Sequence, residues 1–168
     1  MFQINNGLDN SVYAYMDWSK ITNKSSAQYR LREQYRKTGK NLFDENGLAD
    51  IFGRKVIACT SKYGTIGEEV EITFQNGVNY WNSKGTLFAI IGDEKSRHDP
   101  NYCEWGHRYG ANQCCVVEFI VNSNKINKNN NIKNVFPALR NNPVIKVEKT
   151  GVNFFNSIQD YLNENHLG

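Results

Sequence analysis

Between residues 54 and 122 the chain reads as short apolar runs separated by turn residues, with no long helical pattern between them. The runs are RKVIACT (54–60), EEVEITFQ (68–75), GTLFAIIGD (85–93) and CCVVEFIVN (114–122). VEITF alternates apolar and polar positions as a half-buried strand does, and Gln75-Asn76-Gly77 after it predicts a hairpin turn. Four or more short strands in succession predict a mainly-β fold, a small barrel or a sandwich. Before them, residues 13–38 combine a short aromatic strand with a polar segment that is helical from Ser25, the two serines capping Gln28 to Arg36. GKNLFDENGLADIFG is turn-rich, with a tight turn at Asn46-Gly47. PVIKVEK predicts a further alternating strand, and VNFFNSIQDYLNENHLG an amphipathic helix at the end, with His166 placed to complement its dipole. The asparagine-rich NSNKINKNNNIKN reads as a loop. The expectation is one domain over 1–168: a core at about 50–122, an asparagine-rich loop over 122–134, and a C-terminal strand and helix over 143–168.

Composition narrows the function classes. With 168 residues, 39% hydrophobic and 22% charged, the chain is long enough for one globular core. A net charge of +3 without a dense basic run argues against nucleic acid and suits weak attraction to an anionic polymer. No run approaches the roughly 20 apolar residues of a membrane span. The first ten residues lack the basic start and apolar centre of a signal peptide. Cys59, Cys103, Cys114 and Cys115 form no C-x-x-C pair. Adjacent Cys114 and Cys115 on one strand point to opposite faces, so at most one faces the core. Free structural thiols are expected, with a disulfide or a metal ligand as the alternative.

The candidate chemistry gathers where strands end. Asp93 follows FAIIG and emerges from a buried strand into a charged rim, DEKSRHD. Glu118 lies within a strand, on the face of Cys114, Val116 and Ile120, where an ionised carboxylate needs a partner or takes a raised pKa. Two readings stay open: a partly solvated glutamate paired with Lys95 or Lys62, or a carboxylate tuned for proton transfer. Together, Asp93 and Glu118 match the two-carboxylate pattern of glycosidic bond cleavage. His98 with Asp99, His107 and Cys103 is a candidate metal set, although no H-x-x-x-H or H-E-x-x-H occurs. Each of these histidines also reads as an exposed loop residue. No G-x-S-x-G elbow or glycine-rich phosphate loop is present, which removes serine-hydrolase and phosphate-loop chemistry. Tyr80, Trp81, Tyr102, Trp105 and Tyr109 flank the same loops, and such rings either stack on sugars or simply pack.

The succession VIACTSKYGTIGEEVEITFQNG, FAIIGDEKS and VVEFIV resembles the double-psi β-barrel domains of bacterial cell-wall enzymes, of the rare-lipoprotein-A and the MltA or three-aspartate types. With AYMDWSKITNKSSAQYRL and VVEFIVNSNKI added, Ala14 to Val147 looks like a module of clostridial phage tail and prophage lysis proteins. The resemblance implies a six-stranded double-psi-like β-barrel with peripheral helices. It also implies lytic-transglycosylase-like cleavage of peptidoglycan glycan strands, with Asp93 as acid/base and Glu118 stabilising positive charge. Lys62, Tyr63, Lys95, His98 and Trp105 are then the substrate-binding residues. No metal or organic cofactor is called for, and localisation is secreted or virion-associated without a visible signal peptide. Partners are glycan strands, with other phage-tail or secreted-assembly subunits as further candidates. The first acid of the three-aspartate pattern falls near Thr60, where this chain has no carboxylate. The alternative is a non-catalytic cell-wall-binding or tail module.

Overall fold

The computed structural model describes residues 2–3, 15–79, 85–103, 105–110, 113–126 and 142–167. Tyr80, Trp81 and most of the asparagine-rich stretch lie outside these residues. The mainly-β expectation holds. The strands are β1 (Phe2–Gln3), β2 (Tyr15–Asp17), β3 (Asp50–Ile51), β4 (Arg54–Thr60), β5 (Glu68–Val78), β6 (Gly85–Lys95), β7 (Tyr102–Cys103), β8 (Gly106–Gly110), β9 (Gln113–Cys115), β10 (Glu118–Val121) and β11 (Val144–Asn153). Among the described residues three α-helices accompany them: α1 (Ala27–Arg36), α2 (Ser123–Ile126) and α3 (Phe154–Glu164).

Eight strands form one sheet in the order β1-β11-β5-β6-β4-β10-β2, with β3 beside β4. β4 runs parallel to β6, and β2 parallel to β10; the other pairs are antiparallel. β6 therefore sits between β4 and β5, the two strands that precede it in the chain. No pairing closes β1 onto β2 among the described residues, so a closed barrel is not found. One face of the sheet carries Ile57, Val70, Ile72, Leu87, Ala89, Ile91, Phe119 and Val147 in a single apolar cluster. The opposite face, with Val56, Ile90 and Ile120, is covered by Leu31 and Tyr35 of α1 and by Ile158 and Leu162 of α3. Alternation along β4, β6 and β10 is what feeds both layers.

The helix start was well signalled. Ser26 caps α1, its Oγ accepting from the Tyr29 N–H at 3.1 Å. Phe52-Gly53 makes the β3–β4 hairpin with φ of 50° and 86°, a primed turn that favours the sheet twist. Phe52 holds this left-handed backbone by packing on Tyr35 and Tyr161, with ring centroids 5.2 and 5.3 Å away.

Two expectations are overturned locally. Gln75-Asn76-Gly77 is not a turn: β5 continues to Val78 with a register irregularity, where Gly77 has φ +72°. Asn142 supports the irregular backbone, accepting from the Asn76 N–H at 2.8 Å and donating to the Gly77 carbonyl at 2.7 Å. CCVVEFIVN is not one strand either. It breaks at Val116-Val117 into β9, in a separate three-stranded sheet β7-β8-β9, and β10 in the main sheet. Cys114 and Cys115 are both buried, at 0% and 2% exposure, so the expectation that at most one of them faces the core fails. Cys114 is disulfide-bonded to Cys103, while Cys59 and Cys115 are buried thiols outside any disulfide.

Candidate functional site

The central feature is an interruption in the parallel pair β4–β6. Ile57 lies opposite Ile91, but Ala58 lies opposite Asp93, so Gly92 is an extra residue on β6. Glycine fits because a β-carbon built at 92 would run into Val56 Cγ1 and come within 3.1 Å of Ile120 Cδ1. The slip puts Asp93 in a row with Ala58, and Ala58 pairs in turn with Glu118 on β10. The two carboxylates thus sit two strands apart, with β4 between them and their backbones roughly 10 Å apart at ordinary strand spacing.

Asp93 faces the helix layer. Its Oδ1 accepts from Gln28 Nε2 of α1 at 3.2 Å. Burial pushes its carboxyl above the ordinary carboxylate range; the Glu94 N–H and Gln28 pull it down, and the charges of Glu118 and Glu94 push it up again. The net direction is upward. The group lines a surface cleft of roughly 210 Å³ with Lys20, Ile21, Thr22, Asn23, Ser26 and Gln28. A half-buried acid biased toward its protonated form, opening on a polar cleft, is equipped to donate a proton.

Glu118 is of the other kind. Its Oε1 lies 3.1 Å from Lys95 Nζ, with the two side chains 20% and 3% exposed. Lys95 Nζ also donates to the Cys115 carbonyl at 3.0 Å. Of the two partners expected for Glu118, Lys95 is the one found. The carboxylate is set against a buried ammonium, not against the helix layer's amide as Asp93 is.

The remaining candidates divide. Lys62, Tyr63 and Trp105 come together: Lys62 Nζ lies 4.0 Å from the Trp105 ring centroid, and the Tyr63 hydroxyl donates to the Trp105 carbonyl at 2.6 Å. Trp105 Nε1 and Thr60 Oγ1 are buried without a hydrogen-bond partner among the described residues. His98 is exposed in the turn after β6, its backbone N–H donating to Ser96 Oγ. His107 Nε2 lies 3.3 Å from the Ser96 carbonyl. The candidate metal set fails on Cys103, whose sulfur is spent on Cys114; among the described residues no group of three such ligands gathers.

Two contributors escaped the sequence. Gln28 is one, although its spacing to Leu31 and Tyr35 on the buried face of α1 was a usable signal. Gly92 as a strand irregularity is the other, and a glycine after four apolar strand residues is a recognised mark of one. No family model, curated protein or solved structure matches this chain.

Proposed function

We propose that the protein cleaves the glycan strands of peptidoglycan, with Asp93 as the acid that protonates the leaving glycosidic oxygen. The observation that carries this reading is the Asp93 carboxyl itself: half-buried, raised in pKa, held by Gln28 and open to a polar cleft. After bond cleavage the same carboxylate accepts the proton of the attacking hydroxyl, so one acid/base serves both halves of a transglycosylase-type reaction. Glu118, paired with Lys95, serves two ends: it raises Asp93 and favours positive charge developing on the sugar. Insertion of β6 between β4 and β5 supports a double-psi-like arrangement of six central strands, with α1 and α3 peripheral. The reading places the chain outside the producing cell or on a virion, beside other tail or secreted-assembly subunits.

The second reading is a wall-binding module without turnover. It is favoured by the engagement of Glu118 with Lys95 and of Trp105 with Lys62, which leaves less free chemistry than a two-carboxylate site needs. Mass spectrometry of soluble products from purified peptidoglycan, beside Asp93→Asn, decides between them. Anhydro-muropeptides lost in the variant establish the acid/base role of Asp93. Wall binding without products from several wall types leaves the binding module.

A further inference from the structure

A second hollow lies further along the same face of α1, toward its C-terminal end, and its chemistry is opposite to that of Asp93. It encloses about 300 Å³ between Trp18, Arg32, Arg36, Lys40, Asn41, Leu42 and Phe43. Arg32 is the unusual member. Its side chain is 11% exposed, yet Nε and Nη1 have no hydrogen-bond partner among the described residues. The nearest carboxylate oxygen, Glu33 Oε1, is 3.6 Å from Nε, and Glu33 is shared with Arg36 at 3.2 Å. What holds the guanidinium is aromatic: its central carbon lies 4.7 Å from the Trp18 ring centroid and 4.5 Å from that of Tyr29. Stacking satisfies the faces of a guanidinium but not its N–H edge, and a buried unpaired donor of this kind costs free energy until something accepts from it.

We infer that this cleft is a binding site for the phosphate of a small phosphomonoester whose flat or apolar part lies against Trp18 and Phe43. The helix sets the spacing: Arg32 and Arg36 are four residues apart on one face of α1, and Lys40 follows in the turn beyond its end. Lys40 is steadied by the Tyr161 ring, 5.4 Å from Nζ. Three cations less the Glu33 charge leave a formal +2, which complements a dianion. Asn41 adds amide N–H donors, since its Oδ1 already accepts from the Phe43 N–H at 3.1 Å. Guanidinium edges suit phosphate oxygens because the planar fork presents parallel donors. Trp18 and Phe43, with centroids 6.0 Å apart and planes inclined at 53°, provide an apolar wall beside the charges. The site is independent of the glycan-cleaving reading, and neither depends on the other.

The test is titration of the full chain with phenyl phosphate, inorganic phosphate, methyl phenyl phosphate and benzoate, followed by the arginine Nε–Hε resonances. Phenyl phosphate is expected to shift the Arg32 resonance saturably and to bind more tightly than inorganic phosphate. Arg32→Gln is expected to weaken it by about tenfold or more, the loss of a charge-assisted pair. Lys40→Gln removes an exposed residue that leaves the fold intact and is expected to weaken binding by about threefold, with the effect shrinking at high salt. No saturable shift up to about 10 mM, an affinity too weak to be a site, would overturn the assignment. Equal binding of benzoate would overturn the choice of phosphate, and equal binding of the singly charged diester the choice of a dianion.

Discussion

Removing Lys95 tests how the two carboxylates are kept apart in character. Lys95→Met deletes an ammonium that is 3% exposed and touches both Glu118 and the Cys115 carbonyl. Breaking a fully buried pair by removing one partner costs about 3–5 kcal/mol, because the other charge is left without compensation. Glu118 is 20% exposed and recruits water, which places its share at the lower end. The abandoned Cys115 carbonyl adds a lost hydrogen bond of about 1 kcal/mol. The expected loss is therefore about 4 kcal/mol, or a fall of about 8–16 °C in Tm for a chain of this size. Urea unfolding measures it as a lower midpoint at unchanged slope. Lys95→Met with Glu118→Leu is expected to recover most of the loss, since an apolar pair in place of a buried ion pair is close to neutral. A single variant within about 0.5 kcal/mol of the parent, the range of inconsequential surface changes, would refute the argument. So would a double variant no better than the single one. Glu118→Gln carries the reasoning to Asp93: with one of its upward influences gone, the Asp93 carboxyl titrates at lower pH, readable by carbon NMR of the side chain.

Other outcomes follow from the same geometry. Gly92→Ala pushes a methyl group into Val56 Cγ1 and is expected to cost about 1–3 kcal/mol by overpacking, with Val56→Ala restoring part of it in the same unfolding assay. Replacing Cys103 and Cys114 by serine opens a loop with a separation of 11 residues, and is expected to lower stability by about 2–3 kcal/mol in calorimetry. The raised carboxyl of Asp93 means that its contribution to stability is complete below the unfolded value of about 3.9 and is lost as pH rises through the higher folded value. Asp93→Asn is thus expected to raise the urea midpoint at pH 7 and to leave it unchanged near pH 3; a destabilised variant at pH 7 would contradict the sign.

Much of the frame was legible because it rests on local pattern. Arg54–Thr60 matched its run from end to end, and Ser26 announced α1 through its position before an amphipathic segment. The C-terminal helix followed from the spacing of Phe154, Ile158 and Leu162. What failed was whatever tertiary contacts decide. Asn76-Gly77 has the composition of a tight turn, but Asn142, 66 residues from Asn76, supplies the hydrogen bonds that let β5 run on. Cys114 to Val121 has uninterrupted strand propensity, and only pairing with β8 on one side and β4 on the other splits it. The small sheet β7-β8-β9 carries no periodicity to read, since its strands are two to five residues long and tied by a disulfide. At the site, Asp93 and Glu118 were nameable from their strand positions, while their juxtaposition depended on a one-residue slip that propensity does not encode.

That slip also explains why the two acids take different parts. Without Gly92 as an extra residue, strict alternation from Ile91 would return residue 93 to the face of the inner apolar cluster. An aspartate there would meet Ile57 and Phe119 rather than Gln28, and the chain would bear the cost of an unpaired buried carboxylate. The extra residue turns Asp93 to the helix layer, where one amide donor and a polar cleft leave it half-satisfied. Glu118, on the same face two strands away, needs no such device because β10 alternates regularly and Lys95 meets it from the far end of β6. One strand therefore supplies both the acid and the cation that pairs with its neighbour, and three residues, Asp93, Glu94 and Lys95, span the distance between them. The partition into one carboxyl biased toward protonation and one paired with a buried ammonium is a product of backbone register, and substitutions that alter register at Gly92 are expected to disturb it even when every titratable group is kept.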